Sequence, residues 1–160
     1  MIKIGSRVPD MVVYKIDNGI SSSFHISKIL VSTRTVVFGL PGAFTPTCHK
    51  EHLPGFIGKA DEIFSKGIDK IICISVNDPF VMNEWGKVLG VGDKVLMVAD
   101  ASAELTKALG LDIDLSEFGL GIRSKRYSAF IDDCIVKEFQ VEEDSSILTN
   151  CSAEKMLKLL

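Results

Sequence analysis

Three apolar runs punctuate the chain: Thr35–Leu40 (TVVFGL), Ile71–Val76 (IICISV) and Val95–Ala99 (VLMVA). Continuous β-branched and aromatic runs of this length predict strands covered on both faces. A shorter first strand is predicted over Met11–Tyr14, with Asp17–Ser23 (DNGISSS) as the turn after it and His25 on a short helical turn. Between the first two buried runs the spacing predicts a helix over Thr45–Lys66, kinked at Pro54-Gly55. A second helix over Pro79–Leu89 has Asp78 as N-cap and Pro79 at the first helical position. Tyr127–Ile131 and Ile135–Val141, joined only by Asp132-Asp133-Cys134, predict an antiparallel hairpin. A last helix starts at Ser152 and carries Met156, Leu157, Leu159 and Leu160 as its apolar positions.

The order β-α-β-α-β-(α)-β-β-α places the chain in the α/β class. The simplest architecture is thioredoxin-like: a mixed central sheet with flanking helices, parallel at its core and ending in a hairpin. The 160 residues suit one domain, residues 1–160, and no linker or repeat divides them. Composition is 46% hydrophobic and 24% charged, which excludes disordered and low-complexity classes. With net charge −3 there is no basic excess to hold nucleic acid or an anionic membrane. No apolar run approaches the roughly 20 residues that span a bilayer. The segment MIKIGSRVPD lacks an apolar core like that of a secretory signal, so the expected location is cytoplasmic.

In such a compartment Cys48, Cys73, Cys134 and Cys151 are expected to stay reduced, any disulfide being transient and chemical. Cys48 is placed most tellingly. A strand ends at Leu40, Pro41-Gly42 turn the chain, and Thr45-Pro46 are an N-cap and first-position pair. Cys48 then falls in the first helical turn, where free backbone N–H groups and the positive end of the helix favour thiolate over thiol. Against this stands inert packing, the commoner fate of a lone cysteine. Zinc is the competing chemistry, since Cys48, His49 and His52 form a C-H-x-x-H cluster. Tetrahedral zinc needs three or four ligands, and His49 points about 100° away from the face shared by Cys48 and His52. No metal or other cofactor is therefore expected. A C-x-x-C dithiol is absent from the sequence.

PGAFTPTC followed by HLPGF resembles the peroxidatic motif of the peroxiredoxins, P-x-x-x-T-x-x-C, on Pro41, Thr45 and Cys48. ISVNDPFVMNEW (Ile74–Trp85) and GLGIRSKRYS (Gly119–Ser128) are similar to further segments of the type II, or peroxiredoxin-5-like, group. The resemblance implies a thiol-dependent peroxidase acting on hydrogen peroxide and small alkyl hydroperoxides. Cys48 would attack the peroxide and become sulfenic acid. Thr45 would hydrogen-bond the sulfur and the peroxide, Pro41 would shield the site, and Arg126 would stabilise thiolate and polarise the peroxide.

The same resemblance implies a resolving thiol. Cys73 matches plant-like members and is the preferred candidate; Cys151 near the C-terminus is another, and one-cysteine behaviour a third. The implied reductants are thioredoxin or glutaredoxin with glutathione, and the implied assembly is a homodimer. Cys134 stands where a hairpin turn usually has glycine, and is expected to be an exposed, incidental thiol. His52 is expected in helix packing or a hydrogen bond beside the site, and Trp85 as a core or interface aromatic. Asn77-Asp78-Pro79 is expected to border the active site or dimer interface. A second class of function is a peroxide-sensing or chaperone-like redox protein with little turnover; a third is a thiol transferase or disulfide isomerase.

Overall fold

The computed structural model describes residues 1–160. The buried runs become β3 (Arg34–Leu40), β4 (Lys70–Ser75) and β5 (Leu96–Ala99), paired in parallel. The predicted hairpin is β8 (Tyr127–Asp132) and β9 (Ile135–Val141), with β8 antiparallel to β3. At the other edge lie β1 (Val12–Asp17) and β2 (Ile20–His25), completing a seven-stranded sheet in the order β2-β1-β5-β4-β3-β8-β9. The mixed, thioredoxin-like sheet is as expected from the pattern.

Alternation along the strands divides the interior into two cores. Val36, Phe38 and Leu40 of β3 and Ile71 and Cys73 of β4 face one side. They pack against α2 (Leu53–Ser65), α3 (Pro79–Leu89) and α5 (Ala153–Leu159) through Phe56, Trp85 and Met156. Val37, Ile72 and Ile74 face the other side, under α1 (Ser27–Leu30) and α4 (Glu104–Ala108). Cys48 and Cys73 thus share a core while Cys134 lies in the opposite one. The Asp78 cap accepts from Val81 N at 2.9 Å, and Ser152 caps α5 by accepting from Lys155 N at 3.2 Å. No helix is long and apolar enough to cross a membrane.

Three expectations are corrected. The DNGISSS segment is mostly strand: only Asn18 and Gly19 turn, both at positive φ, and Ile20–His25 form β2. His25 therefore ends a strand instead of lying on a helical turn, and its Nδ1 is 3.2 Å from Asp10. A two-stranded sheet of β6 (Asp112–Asp114) and β7 (Ile122–Ser124) stands apart from the main sheet. Cys134 does adopt positive φ at the hairpin turn, yet it is 1% exposed instead of open to solvent. The N-terminal segment crosses it, with Val8 N donating to Cys134 O and Val136 N donating to Ser6 O, both at 2.9 Å.

Candidate active site

β3 delivers the chain to Pro41 and Gly42, and helical structure begins at Pro46. The turn Cys48–His52 is π-helical, with Leu53 N donating to Cys48 O across five residues before α2 continues regularly. This corrects the expected helix over Thr45–Lys66 with its kink at Pro54-Gly55, and Pro54 supplies the reason. Proline has no N–H for the Lys50 carbonyl, and its ring would clash there in an α-helix. One widened turn removes the conflict, so the irregularity sits just before Pro54-Gly55 instead of as a kink at it. Thr45 is no side-chain cap either: its hydroxyl donates to Gly42 O at 2.6 Å, while its carbonyl accepts from His49 N at 2.9 Å. The Thr45 hydroxyl makes no hydrogen bond to Cys48.

Cys48 is 1% exposed, and its one polar side-chain partner comes from far along the chain. Arg126 Nη2 donates to Cys48 Sγ at 3.3 Å. The guanidinium is fully enclosed; Nε and Nη2 both donate to Ser145 O, at 3.1 and 2.9 Å, and Nη1 lies 3.0 Å from His52 Nδ1. Arginine has no acceptor, so Nδ1 must accept and the His52 proton sits on Nε2, which donates to Cys151 O at 3.0 Å. Burial, and then the Arg126 charge, hold the His52 pKa down to about 3, which keeps the ring neutral.

A buried carboxylate closes the surrounding loop. Glu142 accepts from the backbone N–H of Thr149, Asn150 and Cys151 and from the Thr149 hydroxyl, at 2.6–2.9 Å. Burial raises its pKa, but these four donors together outweigh that and leave it below the ordinary value. Glu142 N also donates to Arg126 O at 3.0 Å, and Thr47 Oγ1 donates to Ser146 O at 2.7 Å. The segment carrying Ser145 is thus fastened on both sides of that residue, to Arg126 and to Thr47. Glu142 and Ser145 were missed from sequence; an acidic residue and a serine in VEEDSS look like solvated loop, and a carbonyl's role leaves no side-chain signal.

The remaining predicted residues divide clearly. Cys73 is fully buried in β4 between Phe38 and Met97, and desolvation, then the neighbouring Cys48, push its thiol well above the ordinary range. Cys151 is also fully buried, its Sγ 3.5 Å from Arg126 O; burial first and Glu142 second push it up to about 12. All four cysteines are free. Arg123 does not reach Cys48: its Nη1 donates to Pro41 O at 3.1 Å and its Nε to Leu120 O at 2.8 Å. Trp85 is a core residue, fully buried, whose indole N–H donates to His49 Nδ1 at 3.0 Å. Asn77 does border the site, since its Oδ1 accepts from Ala43 N at 3.0 Å and from Ser75 Oγ at 2.7 Å.

A cleft of about 600 Å³ opens over this region, lined on one side by Pro41, Thr45 and Arg126. Leu115, Phe118 and Leu120, from the segment between β6 and β7, line the other. The arrangement offers a buried thiol beside a guanidinium, with an entry lined by apolar side chains of the β6–β7 segment and by polar residues such as Thr45 and Thr47. That suits nucleophilic attack by sulfur on a small substrate.

Comparisons with known proteins place the chain in a family. Residues 3–157 match the Redoxin family model. Peroxiredoxin-2D of Arabidopsis thaliana is 48% identical over 160 residues, covering 99% of this chain and 98% of the relative. The crystal structure of reduced Prx3 in complex with H2O2 from Vibrio vulnificus superposes with a TM-score of 0.94 at 37% identity, covering 99% of each chain. Peroxiredoxin 5 from Alvinella pompejana gives 0.86 at 34% identity, covering 99% of this chain and 97% of that one. A family match over nearly the whole chain, joined to a buried cysteine facing an arginine at a helix mouth, leaves one reading: the chain belongs to the redoxin family and, within it, to the peroxiredoxins, the thiol-dependent peroxidases.

Proposed function

We propose that Cys48 is the peroxidatic nucleophile and that Arg126, Thr45 and Pro41 form its site, acting on hydrogen peroxide and small alkyl hydroperoxides. The observation that carries this is the 3.3 Å contact from Arg126 Nη2 to Cys48 Sγ. The thiolate attacks the terminal peroxide oxygen; an S–O bond forms and the O–O bond breaks. The leaving alkoxide or hydroxide takes up a proton and departs as alcohol or water. Arg126 stabilises the sulfur charge before attack and the oxygen charge after it. The Thr45 hydroxyl, already donating to Gly42 O, keeps its lone pairs free to accept from the peroxide O–H. Pro41 walls the cleft and brings no N–H of its own.

A second thiol then condenses with the sulfenic acid, releasing water and forming a disulfide that an external dithiol reduces. Cys73 is our resolving partner, supported by the core it shares with Cys48. Its complete burial requires the Cys48 turn to open first. Peptide mass spectrometry under non-reducing conditions, after one equivalent of peroxide, is expected to find a Cys48–Cys73 bridge. A Cys48–Cys151 bridge, or persistent sulfenic acid, overturns the choice.

The reductant is thioredoxin or glutaredoxin with glutathione, and the working location is the reducing cytoplasm, in keeping with four unpaired thiols. The functional unit is a homodimer. Phe44, Phe80 and Phe118 are 50%, 61% and 72% exposed, apolar surface that a second copy would cover. Sedimentation of the reduced protein at micromolar concentration tests this, and a monomer overturns it.

A further inference from the structure

Among the buried polar side chains, His52 touches the guanidinium that serves Cys48. His52 lies on the same π-helical turn as Cys48, is completely enclosed, and packs its ring against the stacked pair Phe38 and Phe56 at centroid distances of 5.0 and 5.6 Å. A residue that served only to fill this space would be apolar, because burying an imidazole costs free energy unless both nitrogens are satisfied. Both are satisfied, and by groups that bear on the reactive sulfur.

We propose that His52 is a positioning residue for the peroxidase reaction: its neutral ring, oriented by the Cys151 carbonyl, holds Arg126 Nη1 and so fixes Nη2 against Cys48 Sγ. The geometry shows why such a hold is needed. Nε and Nη2 of Arg126 both rest on one oxygen, Ser145 O, at 3.1 and 2.9 Å. Two donors on one oxygen leave rotation of the guanidinium in its own plane limited only by the side-chain torsions and the surrounding packing. Such rotation carries Nη2 toward or away from the sulfur. The far corner, Nη1, has a single partner, His52 Nδ1 at 3.0 Å. With that contact made, the plane is held at two separated points and the 3.3 Å distance to Sγ follows.

The chemistry of the acceptor also matters. Both groups that accept from the Arg126 guanidinium besides sulfur, the Ser145 carbonyl and the His52 nitrogen, are neutral, so position is set without cancelling the charge that Cys48 feels. Nδ1 must keep its lone pair for this. The Cys151 carbonyl secures it by taking the proton of Nε2. The charged groups facing the ring are Arg126 and Glu142, and Glu142 is itself occupied by the three N–H groups of Thr149, Asn150 and Cys151.

The inference rests on the peroxidase reading, and its test separates the two. Three variants are compared: His52→Phe fills the space without an acceptor, His52→Asn places an oxygen near the Nδ1 position, and His52→Gln reaches only toward Cys151. Two readouts are taken, the second-order rate of Cys48 oxidation by peroxide and the pH profile of Cys48 alkylation by iodoacetamide; the second needs neither peroxide nor a reductant. His52→Phe is expected to lower the oxidation rate on the order of 10²-fold, the cost of misplacing a reacting group by about 1 Å, and to move the alkylation profile to higher pH. His52→Asn recovers most of the loss and His52→Gln does not. A wild-type alkylation profile in His52→Phe overturns the proposal, as do equal rates in the Asn and Gln variants, which decide it if the Phe variant fails to fold. Peroxide consumption surviving in Cys48→Ser would instead overturn the assignment of Cys48.

Discussion

Cys48 and Cys134 are equally hidden, each 1% exposed, each unpaired and each at a turn beside a strand or helix end. They differ in what encloses them. Cys134 sits at φ 67° on the β8–β9 turn, roofed by the N-terminal segment, among Val8, Ile131 and Val136. Burial pushes its thiol up, Arg7 only partly offsets this, and Asp133 and Asp10 push the same way as burial. Cys48 meets a guanidinium whose other side-chain and backbone acceptors are neutral. Burial by itself disfavours the thiolate, whereas a cation held in the same enclosure favours it, which is the difference the proposed role of Cys48 depends on.

The largest expected effect tests that contrast directly. Cys48→Ser abolishes peroxide consumption in the presence of either thiol reductant, while Cys134→Ser consumes peroxide within about twofold of wild type, as expected for a substitution away from the site. Substantial loss in the second variant would erase the distinction. Next, Arg126→Lys lowers the rate of Cys48 oxidation by about 10²–10³-fold, the usual cost of one oriented donor. A lysine ammonium is a point charge that lacks the planar fork spanning Ser145, His52 and Cys48 together. Stopped-flow oxidation measures it, and a near-normal rate would show that charge alone suffices.

Acid should weaken the site before it weakens the rest. His52 takes a proton at its ordinary value of 6.5 when unfolded but only at about 3 when folded. Between those values the unfolded chain binds a proton the native state refuses, so stability falls as pH falls, by at most about 1.4 kcal/mol per pH unit. Glu142 adds to this at the acid end: its stabilisation is complete above 4.5 and is lost as pH drops through its lowered folded value. Urea unfolding at pH 7, 5 and 4 should show the decline, and His52→Asn should flatten it between pH 6.5 and 4. The smallest effect returns to Cys134: serine there costs about 1 kcal/mol, from lost packing at a covered turn, with no change in the alkylation of Cys48.

The hydrophobic pattern carried the central strands, the hairpin and the caps at Asp78 and Ser152, because each of these depends on neighbours within a few positions. β2 escaped it. ISSSFH is a polar edge strand bonded only to β1, so no buried face marks it, and the Asn18-Gly19 pair was its one signal. The three-residue strands β6 and β7 are too short for any period to show. Within the site, Pro41, Thr45, Cys48 and Arg126 were legible through a motif, and Pro54 marked an irregular helix without specifying a π-helical turn.

By itself the sequence determined the central strands, the C-terminal hairpin and the thiol at a helix mouth, since local spacing and residue chemistry suffice for those, while the arginine expected to serve that thiol came from the family resemblance alone. Only the tertiary structure decided the environment of each thiol. His52 meets Arg126 across 74 residues and Cys151 across 99, and Cys134 is covered by a segment more than a hundred residues before it. Whether a cysteine meets a held cation or an apolar roof depends on such long-range contacts, and it is desolvation and charge at the sulfur, not position in the chain, that set its reactivity.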